Sequence, residues 1–396
     1  MKAGIRTLLA RLCMAGLVLG GGCRAMGGPD DGKPLRLRTL WYQPQAGHPR
    51  VQPAADGERV YTGTGAGQVI ARDPATGVPR WTATVGRGGV EGGNLVVRSG
   101  VVVAPVLYHT TGLDAATGRE LWRYQAPLDT VGGGPPNPGT VIKVQIAADD
   151  DAAYIAAWGP SVAAVELATG RVRWQWQPEP GTPFRFGAEG VALDGGEVFL
   201  ASYHALDAKG GRCEMWVVAL EVRTGRQLWV TKIPAAGGIS CTAGRPAVTA
   251  DRVVAMLITG EMYGLDRRTG EVVWSTPRDS AAYLSVLASP VARGDVIYAG
   301  AANDHVKAVR ARDGEPLWRT PVRAQFTRDL LVTERHIYGV DGPFLFVFDR
   351  RGGKLLARVR QPKEPELGGL FPGTPAYADG RVIAPVNGGV WAFEEP

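Results

Sequence analysis

The sequence lacks the patterns that mark helical, membrane-spanning and many catalytic proteins. After its first twenty residues it contains no stretch with the long apolar period of a helix. Its four cysteines are never adjacent, its five histidines lie far apart without the spacing of a zinc site, and it has no Gly-x-Ser-x-Gly motif. These absences argue against a helical fold, and they predict no metal site and no catalytic residues.

Glycine and proline, in contrast, are abundant and punctuate the chain. The 396 residues include 55 glycines and 29 prolines, which separate short runs rich in Val, Ile, Trp and Tyr. Such runs, bounded by turn residues, predict short β-strands. The net charge of +6 is spread along the chain, and 36 of the 44 cationic residues are arginine. This distribution predicts an arginine-rich solvated surface and no nucleic-acid site.

The N-terminus has the form of an export signal. Three cationic residues precede the apolar segment 12–19, and Gly20–Gly22 provide the small residues of a cleavage zone. Cys23 follows at once, and the sequence around it resembles a bacterial lipoprotein signal, although its leucine stands four residues before the cysteine instead of three. We therefore expect a signal peptide over 1–22, a lipidated Cys23 and a flexible tether that extends to residue 37. The alternative is ordinary cleavage that leaves Cys23 as a free thiol.

One phrase recurs along the rest of the chain. It consists of an acidic residue, two variable residues, Thr-Gly, three more residues and a tryptophan, and five copies keep all four fixed positions. A sixth copy keeps the glycine and the tryptophan, and a seventh ends on Ala357. The glycines follow one another at intervals of 39 to 55 residues, the length of a four-stranded propeller blade. The tryptophans of these copies are Trp81, Trp122, Trp174, Trp229, Trp274 and Trp318.

A second series of signals gives an independent count. Eight short turns separate pairs of apolar runs, the first at Asp56-Gly57 and the last at Asp379-Gly380. The run around Trp41 resembles the outer strand of a blade whose earlier strands are missing. The C-terminal run that includes Trp391 resembles a blade without its outer strand. The two ends therefore complete each other. We predict an all-β fold over 38–396: an eight-bladed β-propeller of four-stranded antiparallel blades, with the ring closed by an N-terminal outer strand.

The repeated phrase has a physical explanation. Thr-Gly suits a tight turn between two strands, because glycine adopts a positive φ without strain. The tryptophans, Trp41 included, are expected to pack between neighbouring blades, where each buries on the order of 200 Å². The phrase resembles the tryptophan-docking repeat of the quinoprotein (PQQ-like repeat) propeller superfamily, and the resemblance covers essentially residues 38–396.

Some members of that superfamily are quinone-dependent dehydrogenases. Resemblance to those members implies two adjacent cysteines near the cofactor and a calcium ion held by Glu, Asn and Asp. The sequence has no adjacent cysteines, and its Asp149-Asp150-Asp151 run stands in register with the other hairpin turns, which favours a solvated turn over a calcium site. No cofactor is therefore predicted, and a dehydrogenase is kept only as an alternative.

The whole-chain plan of lipidated cysteine, short tether and closed ring is similar to that of the propeller lipoproteins of outer-membrane β-barrel assembly, the BamB family. This resemblance implies a non-enzymatic scaffold, lipid-anchored at the periplasmic face of the outer membrane, whose partner is a barrel assembly protein or another envelope protein. It places the docking surface at loops that enter inner strands, here Phe184, Arg185 and Phe186. For the docking segment, the alternative is that both phenylalanines begin a buried inner strand. For the function, the alternative is another periplasmic ligand- or protein-binding propeller.

Two cysteines remain once Cys13 is assigned to the signal and Cys23 to the lipid. They are Cys213 and Cys241, an even pair in an exported protein, which favours a disulfide. Cys213 is expected at the connection between the second and third strands of the fourth blade, and Cys241 just before the inner strand of the fifth. Both positions fall on the same face in adjacent blades, so a disulfide is predicted. The alternative is two unpaired thiols.

Overall fold

The computed structural model describes residues 35–45, 50–86, 89–106, 109–125, 145–156, 161–178, 188–206, 213–235, 244–278, 288–301, 305–324, 326, 328–360, 373–386 and 388–396. Residues Leu35–Pro396 form one compact unit. Over the described residues the chain folds into 34 short β-strands. Within these residues there is no helix with the length and apolar character needed to cross a membrane.

Eight four-stranded antiparallel sheets form the blades of a propeller, which confirms the predicted fold. In blades 1 to 7 the strands follow chain order from the inner strand to the outer strand. Blades 1 and 2 comprise β3 (Ala54–Ala55), β4 (Val60–Gly63), β5 (Gln68–Arg72), β6 (Pro79–Thr84) and then β8 (Val96–Arg98), β9 (Val101–Val106), β10 (His109–Asp114), β11 (Glu120–Tyr124). Blades 3 and 4 comprise β12 (Gln145–Ala148), β13 (Ala152–Ala156), β14 (Val162–Glu166), β15 (Val172–Trp176) and then β16 (Ala188–Asp194), β17 (Glu197–Ala205), β18 (Cys213–Glu221), β19 (Gln227–Ala235).

The second half of the ring repeats this plan, and blade 8 joins the two ends of the chain. Blades 5 and 6 comprise β20 (Ala247–Val248), β21 (Arg252–Met256), β22 (Met262–Asp266), β23 (Val272–Ser275) and then β24 (Val291–Arg293), β25 (Val296–Ala301), β26 (His305–Arg310), β27 (Pro316–Pro321). Blades 7 and 8 comprise β28 (Leu331–Val332), β29 (His336–Asp341), β30 (Phe344–Asp349), β31 (Leu355–Arg360) and then β32 (Ala376–Ala378), β33 (Arg381–Val386), β34 (Gly389–Glu394), β1 (Thr39–Pro44). A short parallel sheet pairs β2 (Arg50–Gln52) with β7 (Glu91–Asn94).

The two middle strands of each blade supply most of the core, because neighbouring blades cover both of their faces. All six residues of β9 and all five residues of β13 are buried. The outer strands β6 and β27 instead alternate exposed and partly buried residues, since only one of their faces meets another blade. The apolar clusters therefore lie between blades, as where Val103 of blade 2 packs in one cluster with Ile155 of blade 3.

β1 closes the ring, as the sequence predicts. It pairs antiparallel with β34, so that Tyr42 lies opposite Trp391. The indole Nε1 of Trp391 donates a hydrogen bond to Thr39 Oγ1 at 3.1 Å, and Arg38 forms an ion pair with Glu394. The first and last described segments of the chain thus share one blade, and closure leaves no open side to the ring.

The glycine turn of one blade, which is Thr-Gly in five of the seven copies, binds the phrase tryptophan of the blade before it. Each turn glycine has a φ between +70° and +75°, and a Cβ at that position would lie 2.4 to 2.6 Å from an atom of the indole side chain. Glycine is therefore required both by the backbone and by the close approach of the ring. In six of the seven pairs the indole Nε1 also donates to a carbonyl of the turn segment at 2.6 to 3.0 Å. The pairs are Trp41–Gly77, Trp81–Gly118, Trp122–Gly170, Trp174–Gly225, Trp229–Gly270, Trp274–Gly314 and Trp318–Gly353.

The seam between blades 7 and 8 is built differently. Blade 8 has no Thr-Gly turn, because its outer strand comes from the other end of the chain, and the seventh phrase correspondingly has Ala357 in place of tryptophan. Ala357 belongs to an apolar cluster that also contains Trp391 and Phe393, and Leu35 and Leu37 pack against this cluster. Apolar contact at this seam therefore comes in part from the segment that precedes β1.

A buried arginine secures the other side of the closing blade. Arg72 on β5 is 2% exposed, and it donates to Thr62 Oγ1 at 3.3 Å and to the Gly77 carbonyl at 3.0 Å. A third donor reaches Gln45 Oε1 at 3.0 Å, and Gln45, which follows β1, donates to the Gly63 carbonyl at 2.9 Å. Burial lowers the pKa of Arg72 to about 10. The described acceptors of this charge are all neutral, so they are costly to lose.

Removal of β1 is expected to destabilise the whole ring. Deletion of residues 24–44 takes away Trp41 and leaves β34 as an unpaired edge, whereas deletion of residues 24–34 leaves every described contact in place. We expect the longer deletion to lower the Tm by at least about 10 °C or to cause aggregation. The shorter deletion should melt like the full chain in differential scanning calorimetry. Equal melting of the two truncations would contradict closure by β1.

Candidate protein-binding face

The two ends of the ring differ in the length of their connections. In each blade the turns after the first and third strands lie at one end, the turn face, and those after the second and fourth strands lie at the other, the connection face. Turn-face links are short; Gly195 and Gly196 alone join β16 to β17. The connection face has the longest links, which include residues 125–144 after β11 and 361–375 after β31. Binding residues concentrate in long links on a rigid scaffold, so the connection face is the candidate site.

Carboxylates on the turn face stabilise the turns themselves. Asp73 Oδ1 accepts the backbone N–H groups of Ala75 and Thr76, both at 3.0 Å, and Oδ2 accepts Arg80 Nη2 at 2.6 Å. The bond from Arg80, together with those N–H groups, lowers the pKa of Asp73 to about 2. This carboxylate is therefore a structural part of its turn.

Asp149, the first residue of the Asp149-Asp150-Asp151 run, likewise stabilises its own turn. Asp149 Oδ1 accepts the backbone N–H groups of Asp151 at 2.9 Å and Ala152 at 2.8 Å, and Oδ2 accepts the Tyr154 hydroxyl at 2.7 Å. Burial alone would raise the pKa of Asp149, but these hydrogen bonds outweigh it and lower the pKa. Both carboxylate oxygens thus serve the hairpin. Over the described ranges, the side chains form no group of three or more potential metal ligands.

Polar groups at the starts of the inner strands join neighbouring blades on the connection face. Asn94 at the end of β7 donates to the Ile146 carbonyl at 2.8 Å and accepts the Ile146 N–H at 3.0 Å. The Arg245 N–H donates to Ser289 Oγ at 3.0 Å, and the Ser289 N–H donates to Asp329 Oδ1 at 2.6 Å. The side chains of Arg245 and Asp329 form an ion pair at 3.5 Å. This network fixes the starts of blades 5, 6 and 7 relative to one another.

A cavity of about 570 Å³ runs along the inner strands of blades 2 to 6. Its lining combines apolar side chains such as Leu193 and Val248 with polar groups, and its volume lies in the range of small-molecule sites. Its two lining arginines are both paired: Arg98 lies 3.2 Å from Asp150, and Arg245 has the ion pair described above. The described lining is therefore mixed in character, and its arginines already have carboxylate partners.

Blade 4 extends farther on the connection face than the other blades. β17, β18 and β19 have nine residues each, whereas the corresponding strands elsewhere have at most six, so blade 4 projects about 10 Å farther. The rings of His204 and Trp216 stack with centroids 3.9 Å apart, and Lys232 Nζ lies 4.2 Å from the same indole. Trp216 Nε1 donates to Glu214 Oε2 at 3.0 Å. Stacking and hydrogen bonding stiffen this projection.

The residues predicted for lipidation, docking and the disulfide are described only in part. Cys23, Cys241 and the segment Phe184-Arg185-Phe186 lie outside the described residues, and what was predicted for them stays a prediction. In the sequence that segment stands between β15 and β16, which end and begin on the connection face. Cys213 begins β18 and is disulfide-bonded, and its partner lies outside the described residues.

Sequence reasoning did not single out Arg245, Ser289 and Asp329. A usable signal was present for Arg245 and Ser289, because four inner strands are preceded by a polar residue followed by proline. Proline has no N–H to donate and holds the residue before it in an extended conformation, which marks the start of such a strand. The four dipeptides are Gln52-Pro53, Arg245-Pro246, Ser289-Pro290 and Thr374-Pro375.

The family model for outer membrane protein assembly factor BamB matches residues 35–182, 159–334 and 284–395, and so covers every blade of the ring. The chain belongs to the BamB family of PQQ-like propellers. Among curated proteins it is similar to BamB of Burkholderia pseudomallei, at 24% identity over 384 residues, 91% of this chain and 88% of that protein. It also matches the serine/threonine-protein kinase AfsK of Streptomyces griseus at 33% identity over 178 residues. That match covers 43% of this chain and 21% of the kinase.

Solved structures share the architecture of this BamB-family chain. BamB from Moraxella catarrhalis superposes with a TM-score of 0.66 at 17% identity, over 91% of this chain and all of that one. The quinohemoprotein alcohol dehydrogenase ADHIIG from Pseudomonas putida superposes with a TM-score of 0.65 at 14% identity, over 90% of this chain and 76% of that one. At such identities these likenesses establish the fold alone.

Cys213 is predicted to pair with Cys241. Closure of the intervening loop would stabilise the fold by about 3 kcal/mol in the chain-entropy model. We therefore expect Cys213→Ser and Cys241→Ser to lower the Tm by the same few degrees, and the double variant to lower it no further. Mass spectrometry of a non-reduced tryptic digest should recover the two cysteines in one cross-linked peptide. Recovery as two separately alkylated peptides would show the pairing to be wrong.

Proposed function

We propose that this BamB-family chain is a non-enzymatic periplasmic scaffold and a lipoprotein component of outer-membrane β-barrel protein assembly. The observation that carries the proposal is the extent of the family match, which runs from residue 35 to residue 395 and includes the complete ring. The division of the ring into a short-linked turn face and a long-linked connection face also supports it. A scaffold protein needs this combination of a rigid body and one surface on which binding loops are displayed.

In the proposed arrangement the connection face docks on the partner, an outer-membrane barrel assembly protein. The links of this face start and end on strands that interblade hydrogen bonds hold in place, as at Arg245, Ser289 and Asp329. Phe184, Arg185 and Phe186 would supply two aromatic rings and one guanidinium, which are residue types enriched in protein interfaces. The chain has Ser240-Cys241-Thr242 in the link to blade 5, so this part of the interface would be neutral.

The proposed anchor is a lipidated Cys23. The first described residue, Leu35, lies twelve positions after Cys23, and an extended chain of that length spans at most about 40 Å. The propeller would therefore stay close to the membrane surface, where a membrane-embedded partner presents its periplasmic domains. Because β1 follows directly, the anchored segment leads into the strand that closes the ring.

Lipidation is tested by Cys23→Ala. The acylated protein is expected to sediment with membranes, and the alanine variant should be released into the soluble periplasmic fraction, because several acyl chains give durable attachment. Cys213→Ala serves as the control, since Cys213 is disulfide-bonded in blade 4 and its loss should leave sedimentation unchanged. Membrane sedimentation of Cys23→Ala equal to that of the unaltered protein would refute lipidation at this residue.

The scaffold role is tested by crosslinking in intact envelopes followed by capture of the chain. We expect a barrel assembly protein among the crosslinked partners, and we expect Phe184→Asp with Phe186→Asp to lower its yield at least about tenfold, because charge is disfavoured in an interface core. The matched control is Val78→Asp with Val272→Asp. Both valines are exposed, at 53% and 40%, and both lie next to turns of the turn face.

Two outcomes would count against the scaffold proposal. One is equal capture by the docking variant and the control variant, which would remove the connection face at blade 4 as the docking surface. The other is dye reduction by the purified chain that depends on added calcium and pyrroloquinoline quinone, which would show an enzyme instead. A crosslinked partner outside barrel assembly would place the chain with other protein-binding propellers.

A further inference from the structure

The second residue of each phrase, which we call the seam position, lies where its blade meets the blade before it. In blades 1 to 6 the carbonyl of this residue accepts the indole N–H of the preceding blade at 2.6 to 3.0 Å. Glu395 holds the equivalent position in blade 8, because its N–H donates to the Gly380 carbonyl just as the N–H of Leu167 in blade 3 donates to the Asp151 carbonyl. Blade 7 has no phrase tryptophan, so the seam position of blade 8 has no indole to bind.

Long side chains at the seam position reach back to the preceding blade. In blade 5, Arg267 Nε lies 2.7 Å from Glu197 Oε2 of blade 4. In blade 7, Arg350 Nη1 donates to the Tyr298 hydroxyl of blade 6 at 3.1 Å. At both of these seams the side-chain contact adds to a contact between tryptophan and glycine. At the seam between blades 7 and 8, the side chain of Glu395 acts without one.

The Glu395 carboxylate joins blade 8 to the first turn of blade 7. Its Oε1 accepts the Thr333 hydroxyl and lies 3.2 Å from His336 Nδ1. Its Oε2 lies 3.8 Å from Arg335 Nη2, and the Tyr377 hydroxyl of blade 8 also donates to the carboxylate. The Glu395 side chain is only 4% exposed. A buried carboxylate with these partners is costly to separate from them.

This turn of blade 7 has no carboxylate of its own at the position where blades 1 and 3 have one. Asp56 and Asp149 occupy that position in blades 1 and 3, and each accepts a tyrosine hydroxyl at 2.7 Å. Thr333 is their equivalent in blade 7, because its Oγ1 likewise accepts the backbone N–H three residues later. The carboxylate that two blades supply from their own turn is therefore supplied to blade 7 by blade 8.

The surroundings of Glu395 favour its ionised form. Burial alone would raise the pKa of Glu395, but hydrogen bonds from three side chains and the charge of Arg335 outweigh burial and lower the pKa. The stability that this carboxylate contributes is therefore complete above the ordinary glutamate pKa of about 4.3, and it is lost as the pH falls through the lowered value. The described titratable groups around it are Glu334, Arg335, His336, Tyr338 and Tyr377.

We propose that Glu395 is a pH-sensitive switch at the seam between blades 7 and 8: the ionised carboxylate holds the two blades together, and the ring opens first at this seam when the carboxylate is protonated. A protonated carboxyl loses its attraction to Arg335 and accepts fewer hydrogen bonds. The tryptophan and glycine contacts at the other seven seams contain no titratable group. The switch would act in the same way whatever protein the connection face binds.

Glu395→Gln tests the switch, because the amide has the shape of the protonated carboxyl and cannot ionise. At pH 7.5 we expect Glu395→Gln to raise the hydrogen-exchange rate of residues 331–341 by about tenfold or more, since local opening becomes easier. Mass spectrometry of exchanged peptides gives this rate. Residues 148–156 of blade 3, whose turn contains Asp149, should exchange at an unchanged rate.

The matched control is Glu394→Gln, which changes the neighbouring glutamate. The Glu394 side chain is 43% exposed and forms an ion pair with Arg38. An exposed ion pair contributes little, so this variant should change the exchange of residues 331–341 by less than about twofold.

The pH dependence separates the switch from a purely structural contact. As the pH is lowered from 7.5 to 3, the full chain should come to resemble Glu395→Gln, so that their exchange rates over 331–341 differ by less than about twofold at pH 3. Carboxylates of other turns, such as Asp73, titrate in both proteins, and comparison at equal pH therefore isolates Glu395. If Glu395→Gln does not fold, Tyr377→Phe replaces it. Removal of this donor should shift the loss of protection over 331–341 to higher pH.

Three results would overturn the proposal. They are equal exchange of residues 331–341 in Glu394→Gln and Glu395→Gln, faster exchange of Glu395→Gln that is the same over 148–156 and 331–341, and a difference between Glu395→Gln and the full chain that is as large at pH 3 as at pH 7.5. With Tyr377→Phe, an unchanged pH for the loss of protection would overturn it.

Discussion

The contact between one blade's tryptophan and the next blade's glycine turn is the constraint on which the ring depends. A Cβ added to the turn glycine would lie only 2.4 to 2.6 Å from an atom of the tryptophan side chain. The glycine also has a φ that other residues rarely adopt. Substitution of either the tryptophan or the glycine alone would therefore disrupt the contact. Because the two halves of each contact belong to consecutive phrases, a blade is completed only by its neighbours, and the stability of every blade depends on closure at Trp41 and Gly77.

The same constraint explains why the number of blades could be predicted from sequence. A contact made once per blade by residues of fixed type leaves a periodic trace, and Trp41 marked the missing outer strand. Other features leave no such trace. The nine-residue strands of blade 4, the packing of Leu35 and Leu37, and the bonds among Arg245, Ser289 and Asp329 each occur once. Their partners lie far apart in the chain, and a local pattern such as Arg245-Pro246 marks the start of a strand without showing which residue it binds.

The candidate site was predictable to a smaller extent, for a related reason. Turn-face carboxylates could be assigned to structure because their acceptors and donors lie within a few residues, as at Asp73 and Asp149. The connection face has links of unequal length, and their residues follow no repeat. The propeller thus separates two tasks. Regular, self-satisfied turns at one end maintain the ring, and variable links at the other are free to differ without loss of the tryptophan contacts.

Closure by the N-terminal strand has a consequence at the opposite side of blade 8. A ring closed in this way contains one blade without a Thr-Gly turn, so one outer strand, β31, has no turn of the next blade against it, and its tryptophan position is alanine. Apolar packing at that seam includes Leu35 and Leu37, which precede β1. Leu35 and Leu37 therefore pack at the seam between blades 7 and 8, where that turn contact is missing. In this topology, closure by β1 and the missing turn contact beside β31 both derive from the same break in the repeat.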